Sequence, residues 1–149
     1  MKTIITNRKA RYEYSILQEF DAGIVLQGSE VKSLREGNAT LVDSFIYIKD
    51  SEVWIKNLVI SRYNHSHLLT NHIENRDKKL LLNRKEITKI GRLLEDKGTT
   101  AIPLSIFNNN NRLKVKIGIA KGKKLYDKKN SIRERDIKRE VSRTLNINI

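Results

Sequence analysis

The chain contains no cysteine, which excludes disulfides, cysteine-ligated zinc and thiol catalysis, and suits a reducing compartment. It has no apolar run of transmembrane length, and Met1-Lys2-Thr3-Ile4-Ile5-Thr6-Asn7 lacks the apolar centre of a secretory signal. A cytoplasmic location is therefore expected. No basic amphipathic helix with Trp or Phe on its apolar face dominates, so no membrane partner is expected either. Catalytic equipment is also missing. There is no nucleophile-base-orienter set, no glycine loop to cradle a phosphate and no Asp-x-Asp pair for a metal. Neither enzymatic activity nor a cofactor is expected. Internal repeats are absent.

Acidic residues are scarce: 17 Asp and Glu stand against 30 Lys and Arg, a net charge of +13 with a pI near 10.0. A surface so basic gains from a polyanion by releasing its counterions, and nucleic acid is the polyanion that fits. The 149 residues suffice for one compact body with its own core and are too few for two ordinary ones.

Hydrophobic periodicity predicts strands over residues 12–20, 23–26, 41–49, 52–60, 99–107 and 112–120. Lys49-Asp50-Ser51 makes one turn and Asn108-Asn109-Asn110-Asn111 another. In the last strand Leu113, Val115, Ile117 and Ile119 alternate with Lys114, Lys116, Gly118 and Ala120, so one face is core and the other carries Lys114 and Lys116. A short helix is predicted from Ser29, its cap, to Gly37, its stop. A second follows Asn83, which has capping-box spacing to Glu86, and ends before Gly98. Residues 61–79 read as a long polar loop. Six strands and two short helices suit a mainly β fold, an OB-like six-stranded antiparallel barrel, over residues 1–120. Such barrels bind nucleic acid on one face.

Residues 121–149 differ in kind. Ten basic residues against four acidic ones leave +6 on a fifth of the chain, with too few apolar positions to fold alone. Ser131 and Glu134 have capping-box spacing, and Ile137, Val141 and Leu145 recur every four residues. This tail is expected to be disordered when free and to become a helix on a surface that neutralises its charge.

Three stretches closely resemble the SsrA-binding family (small protein B), in that family's order and spacing. They are Asn7-Arg8-Lys9-Ala10 leading to Tyr14-Ser15-Ile16, then residues 21–35 around Gly28-Ser29-Glu30-Val31-Lys32-Ser33-Leu34-Arg35, then residues 114–129 ending Tyr126-Asp127-Lys128-Lys129. Lys79-Leu80-Leu81-Leu82-Asn83 resembles a fourth block. The resemblance implies a barrel that clasps the tRNA-like domain of transfer-messenger RNA and brings it to stalled ribosomes, with elongation factor Tu in the delivery complex. It implies RNA contacts at Asp21, Leu81, Asn83 and Lys114. It also implies that Tyr126, Asp127, Lys128 and Lys129 replace the missing codon-anticodon contact at the small-subunit decoding centre, with the tail, Ile137 included, helical in the mRNA channel. Many members have Glu where this chain has Asp21 and Arg where it has Lys129, and Lys cannot make the bidentate phosphate fork of Arg.

The residues themselves allow these roles. Lys114 and Lys116 leave one strand face about 7 Å apart, near the spacing of phosphates, and Lys121, Lys123 and Lys124 extend the basic surface. Asp21 can accept from a base amino group or a ribose hydroxyl. Plainer roles exist: Asp21 can simply end a strand and Lys114 solvate one. His65 and His67 are spaced for two metal ligands on one side of a strand, with His72 nearby, but no patterned carboxylate or Cys completes a set. All three are expected to be surface or RNA-facing. Tyr47 and Trp54 are expected in the core, and Tyr63 is the better stacking candidate. A ribosomal or initiation-factor-like protein would share this composition; only the family blocks separate it from a rescue factor.

Overall fold

The computed structural model describes residues 2–63 and 71–122. In chain order these form β1 (Lys2–Thr6), α1 (Arg8–Glu13), β2 (Tyr14–Ile24), α2 (Gly28–Arg35), β3 (Ala39–Thr40), β4 (Phe45–Lys49), β5 (Glu52–Lys56), β6 (Val59–Ile60), β7 (Lys78–Leu81), α3 (Arg84–Leu94), β8 (Thr99–Asn109) and β9 (Arg112–Gly122). The strand order β8-β4-β5-β7-β2-β9 returns to β8, so six antiparallel strands close into a barrel, with β1 added alongside β8. The closing seam between β4 and β8 is a single pair, Ile46 opposite Ala101.

Six strands were expected and six form the ring, but they are not the same six. The two predicted at residues 12–20 and 23–26 merge into one continuous strand, β2, while Tyr12 and Glu13 belong to helix α1 instead of the strand. The strand that makes up the number is β7, at the end of the expected loop. Its inward positions are Lys78 and Leu80, both buried, and a buried lysine gives no apolar signal to read. The short β1 was not anticipated.

Both hairpin turns have a local cause. Asp50 and Ser51, and likewise Asn110 and Asn111, take positive φ between Lys49 and Glu52 and between Asn109 and Arg112, the two-residue turn whose twist matches its strands. Pro103, the only proline, sits where β8 leaves β4 at Ala101 and takes up β1 at Ser105, beside a bulge at Leu104. Asn7 binds that bulge, through Nδ2 to the Pro103 carbonyl and through its amide to the Leu104 carbonyl.

Inside the barrel lie Ala22, Val53, Ile55, Leu80, Ile106, Val115, Ile117 and Ile119, closed off by Leu34 of α2 and Ile90 of α3. A smaller cluster of Ala10, Ile102, Leu104 and Ala120 packs α1 against the outside. Asn83 caps α3 as predicted, accepting from the Glu86 amide at 2.8 Å. The cap of α2 is Gln27 rather than Ser29: its amide donates to Glu30 Oε1 at 2.7 Å.

Ser29 is buried instead and serves a polar seam that fastens α2 to the segment before β7. Its hydroxyl meets His72 Nδ1 at 2.8 Å, while His72 Nε2 donates to the Ile60 carbonyl. Because that carbonyl can only accept, the neutral ring takes the serine proton at Nδ1. Ser33 donates to the Ser61 carbonyl at 2.6 Å. Glu30, fully buried, pairs with Arg76 at 2.6 Å and lies 3.8 Å from the Lys78 ammonium, which donates to the carbonyls of Leu58 and Arg76. Burial holds Lys78 below its usual 10.5, opposed by Glu30. His72 is therefore a structural group, contrary to the surface role expected of it; His65 and His67 lie outside the described residues.

Candidate nucleic-acid interface

Strand alternation decides which side chains leave the barrel. In β2, Phe20 and Ala22 point inward, so Asp21 and Gly23 point out; in β9, Val115 and Ile117 point inward, so Lys114 and Lys116 point out. Gly23 stands opposite Leu81 of β7 on one side and Lys114 on the other. A Cβ on Gly23 would lie 3.3 Å from Leu81 Cβ, so glycine keeps this row low while Leu81 stays 52% exposed. Asn83 follows two residues after Leu81, its side-chain oxygen engaged in the helix cap.

The expected residues are not equivalent here. Lys114 lines a groove of 480 Å³ together with Gly23, Ile24, Leu81, Arg35 and Arg112. Lys116, opposite Asp21, turns back onto the protein: its ammonium lies 3.7 Å from Asp21, 3.9 Å from Glu19 and 5.8 Å from the centre of the Phe107 ring. Asp21 is thus half of an exposed ion pair, yet its side chain keeps 52% of its surface free. Lys121 belongs elsewhere. It is seven residues along β9 from Lys114, about 23 Å away, and lies 3.2 Å from Asp96. Lys123, Lys124, Tyr126, Asp127, Lys128, Lys129 and Ile137 lie outside the described residues.

Tyr47 and Trp54 are not core residues, as their strand setting had suggested. Their neighbours Ile46, Ile48, Val53 and Ile55 take the inward positions, and the two residues stand opposite each other on the outer side of β4 and β5. The same alternation was present in the sequence. Tyr63 is half-buried, with the Lys32 ammonium 5.6 Å from its ring centre. Arg35 and Arg112 were not anticipated, because nothing local to either shows that the barrel brings them beside Lys114. Among the described residues no group of His, Cys, Asp and Glu could hold a metal, and no helix is long and apolar enough to cross a membrane.

Fold and face together define a small basic β-barrel protein with a mixed polar and apolar outer face on its strands. The SmpB protein family model matches residues 4–147. The chain belongs to that family. It is 49% identical over 144 residues to the SsrA-binding protein of Thermobifida fusca (strain YX), covering 97% of this chain and 89% of that one. With the SsrA-binding protein of Treponema denticola it shares 46% over 147 residues, 99% of this chain and 95% of the relative. A solved structure described as "tmRNA-SmpB: a journey to the center of the bacterial ribosome" superposes with a TM-score of 0.69 at 39% identity, over 87% of this chain and 94% of that one.

Proposed function

We propose that the chain binds the tRNA-like domain of transfer-messenger RNA and delivers it to stalled ribosomes for trans-translation, the tagging of incomplete proteins. One observation carries the reading: Asp21, Leu81 and Lys114, distant in sequence, meet around Gly23 on one outer face, with Asn83 two residues from Leu81. That face offers an acceptor, an apolar contact and a cation side by side, which suits a folded RNA presenting ribose, base and phosphate together. The names of the relatives and of the superposed structure support it. The chain acts by binding and positioning, without catalysis, in the cytoplasm where ribosomes work.

Two surfaces divide the task. The barrel, residues 1–120, holds the RNA, with Lys121, Lys123 and Lys124 extending its RNA-binding surface; the tail, residues 121–149, meets the ribosome. There Tyr126, Asp127, Lys128 and Lys129 stand in for codon-anticodon pairing at the decoding centre, and the tail folds as a helix in the mRNA channel. Elongation factor Tu accompanies the complex.

The test is binding of the isolated tRNA-like RNA across a salt series. Lys114→Ala should weaken binding and flatten the log-affinity against log-salt slope by about 0.7 to 0.9, one phosphate contact. Unchanged slope and affinity would remove Lys114 from the interface. For the tail, Ile137→Pro should leave RNA binding intact and abolish peptide tagging of a stalled chain, since proline costs a forming helix about 3 kcal/mol. Normal tagging would refute tail folding.

A further inference from the structure

The ring order puts β4 beside β5, β5 beside β7, and β7 beside the Gly23 strand. On their outer side Tyr47 stands directly opposite Trp54, Trp54 opposite Lys79, and the Lys79 carbonyl accepts from the Val25 amide. Trp54 is therefore about 10 Å, two strand spacings, from the strand that carries Asp21 and Gly23, and Tyr47, one strand further, is about 14 Å from it. Phe45 extends it, its ring centre 6.2 Å from that of Tyr47 and its side chain partly exposed. Exposed Lys49 and Lys56 flank the rings at the two ends of the hairpin, opposite Glu52 and Phe45, and neither has an ion-pair partner among the described residues. The Tyr47 hydroxyl donates to Asp77 at 2.8 Å, which fixes that ring.

We infer that Phe45, Tyr47 and Trp54 form a stacking platform for unpaired bases, continuous with the Asp21–Leu81–Lys114 face and used by the same RNA. The inference rests on the RNA-binding reading and adds a second element to it. Three features select this occupant. Aromatic rings on the outer strands of a barrel are the usual support for unpaired bases, because every base offers a π face. Flanking lysines supply phosphate contacts and disfavour a basic protein partner. Continuity with the Gly23 row lets one RNA strand run from cation to rings without leaving the surface.

Trp54 is the only tryptophan in the chain, so the full-length protein reports on its own platform. Titration with the tRNA-like RNA, followed at once by anisotropy of labelled RNA and by tryptophan fluorescence, should show binding and quenching with the same midpoint. Trp54→Leu should weaken binding by roughly 5- to 100-fold, Trp54→Phe should restore most of it, and neither should change the salt slope, since no phosphate contact is lost. A melting temperature for Trp54→Leu within a few degrees of the parent shows that the loss lies in recognition; a loss of affinity matched by collapse of the fold would overturn the inference. Binding without quenching, with both variants at parental affinity, would overturn the platform and leave the Lys114 interface standing. Absence of any binding would overturn both.

Discussion

Lys78→Met tests whether the buried ion network holds β7 in place. The ammonium is wholly buried and donates to the carbonyls of Leu58 at 2.9 Å and Arg76 at 2.6 Å, with Glu30 Oε2 at 3.8 Å. Methionine fills nearly the same volume but supplies no donor, so two buried carbonyls lose their partner at about 1–3 kcal/mol each. Against this, the fold no longer has to desolvate an ammonium, and an apolar chain gains packing, an exchange that recovers a few kcal/mol in buried ion pairs. Glu30 retains Arg76 and the Gln27 amide. A net loss of about 2–3 kcal/mol follows at pH 7, measured by urea unfolding. The sign with pH is opposite to that of a surface lysine. Burial holds the Lys78 pKa below 10.5 in the fold, so between the two values the unfolded chain binds more protons and stability rises with pH. The parent should thus gain on the Met variant as pH climbs through that alkaline window. A variant as stable as the parent at pH 7, or a gap that does not widen in alkali, would refute the reasoning.

Tyr47→Phe should behave in the reverse sense. The hydrogen bond to Asp77, then burial, holds the phenol above 10.0, so the parent loses stability as pH rises past 10.0 and the Phe variant, unable to ionise, does not; parallel alkaline melting curves would contradict this. Asp21→Asn removes an exposed ion pair with Lys116 and should cost less than about 1 kcal/mol of stability, while RNA affinity falls by about 1–3 kcal/mol; an equal loss in both would assign Asp21 to the barrel. Gly118→Ala would bring a Cβ within 2.9 Å of Leu104 Cδ1, so the α1 cluster must repack at about 1–3 kcal/mol, readable as an earlier urea midpoint.

Legibility in the sequence followed the range of the forces involved. The β4–β5 and β8–β9 hairpins and the capped helix α3 are set by alternation, turn residues and a cap within a few positions, and each was readable. The strand β7 was not, because the buried place of Lys78 depends on Glu30, nearly fifty residues earlier. The Ser29-Glu30-Ser33 pattern was recognisable as a family block, but its physical reason emerged only with its partners: these side chains face His72, Lys78 and Ser61 across the molecule and hold α2 in place. At the site, parity along β2 and β9 was enough to place Asp21 and Lys114 outside. That Lys116 folds back onto Asp21 and Glu19, and that Arg35 and Arg112 arrive beside Lys114, required the ring to be closed.

Closure also governs how this surface can recognise anything. Around Gly23 the strand β2 is paired with β7 on one side and β9 on the other, whereas among the described residues the outer side of β1, the thin β4–β8 seam and the stretch of β2 before Gly23 on its β7 side have little or no strand pairing. At that point a partner cannot add a strand of its own, and main-chain pairing, which is indifferent to sequence, is denied to it there. Discrimination at that place falls on side chains that the strands hold outward. Each can be exchanged without breaking a ladder bond, so the barrel can keep its architecture while its choice of ligand is altered one position at a time.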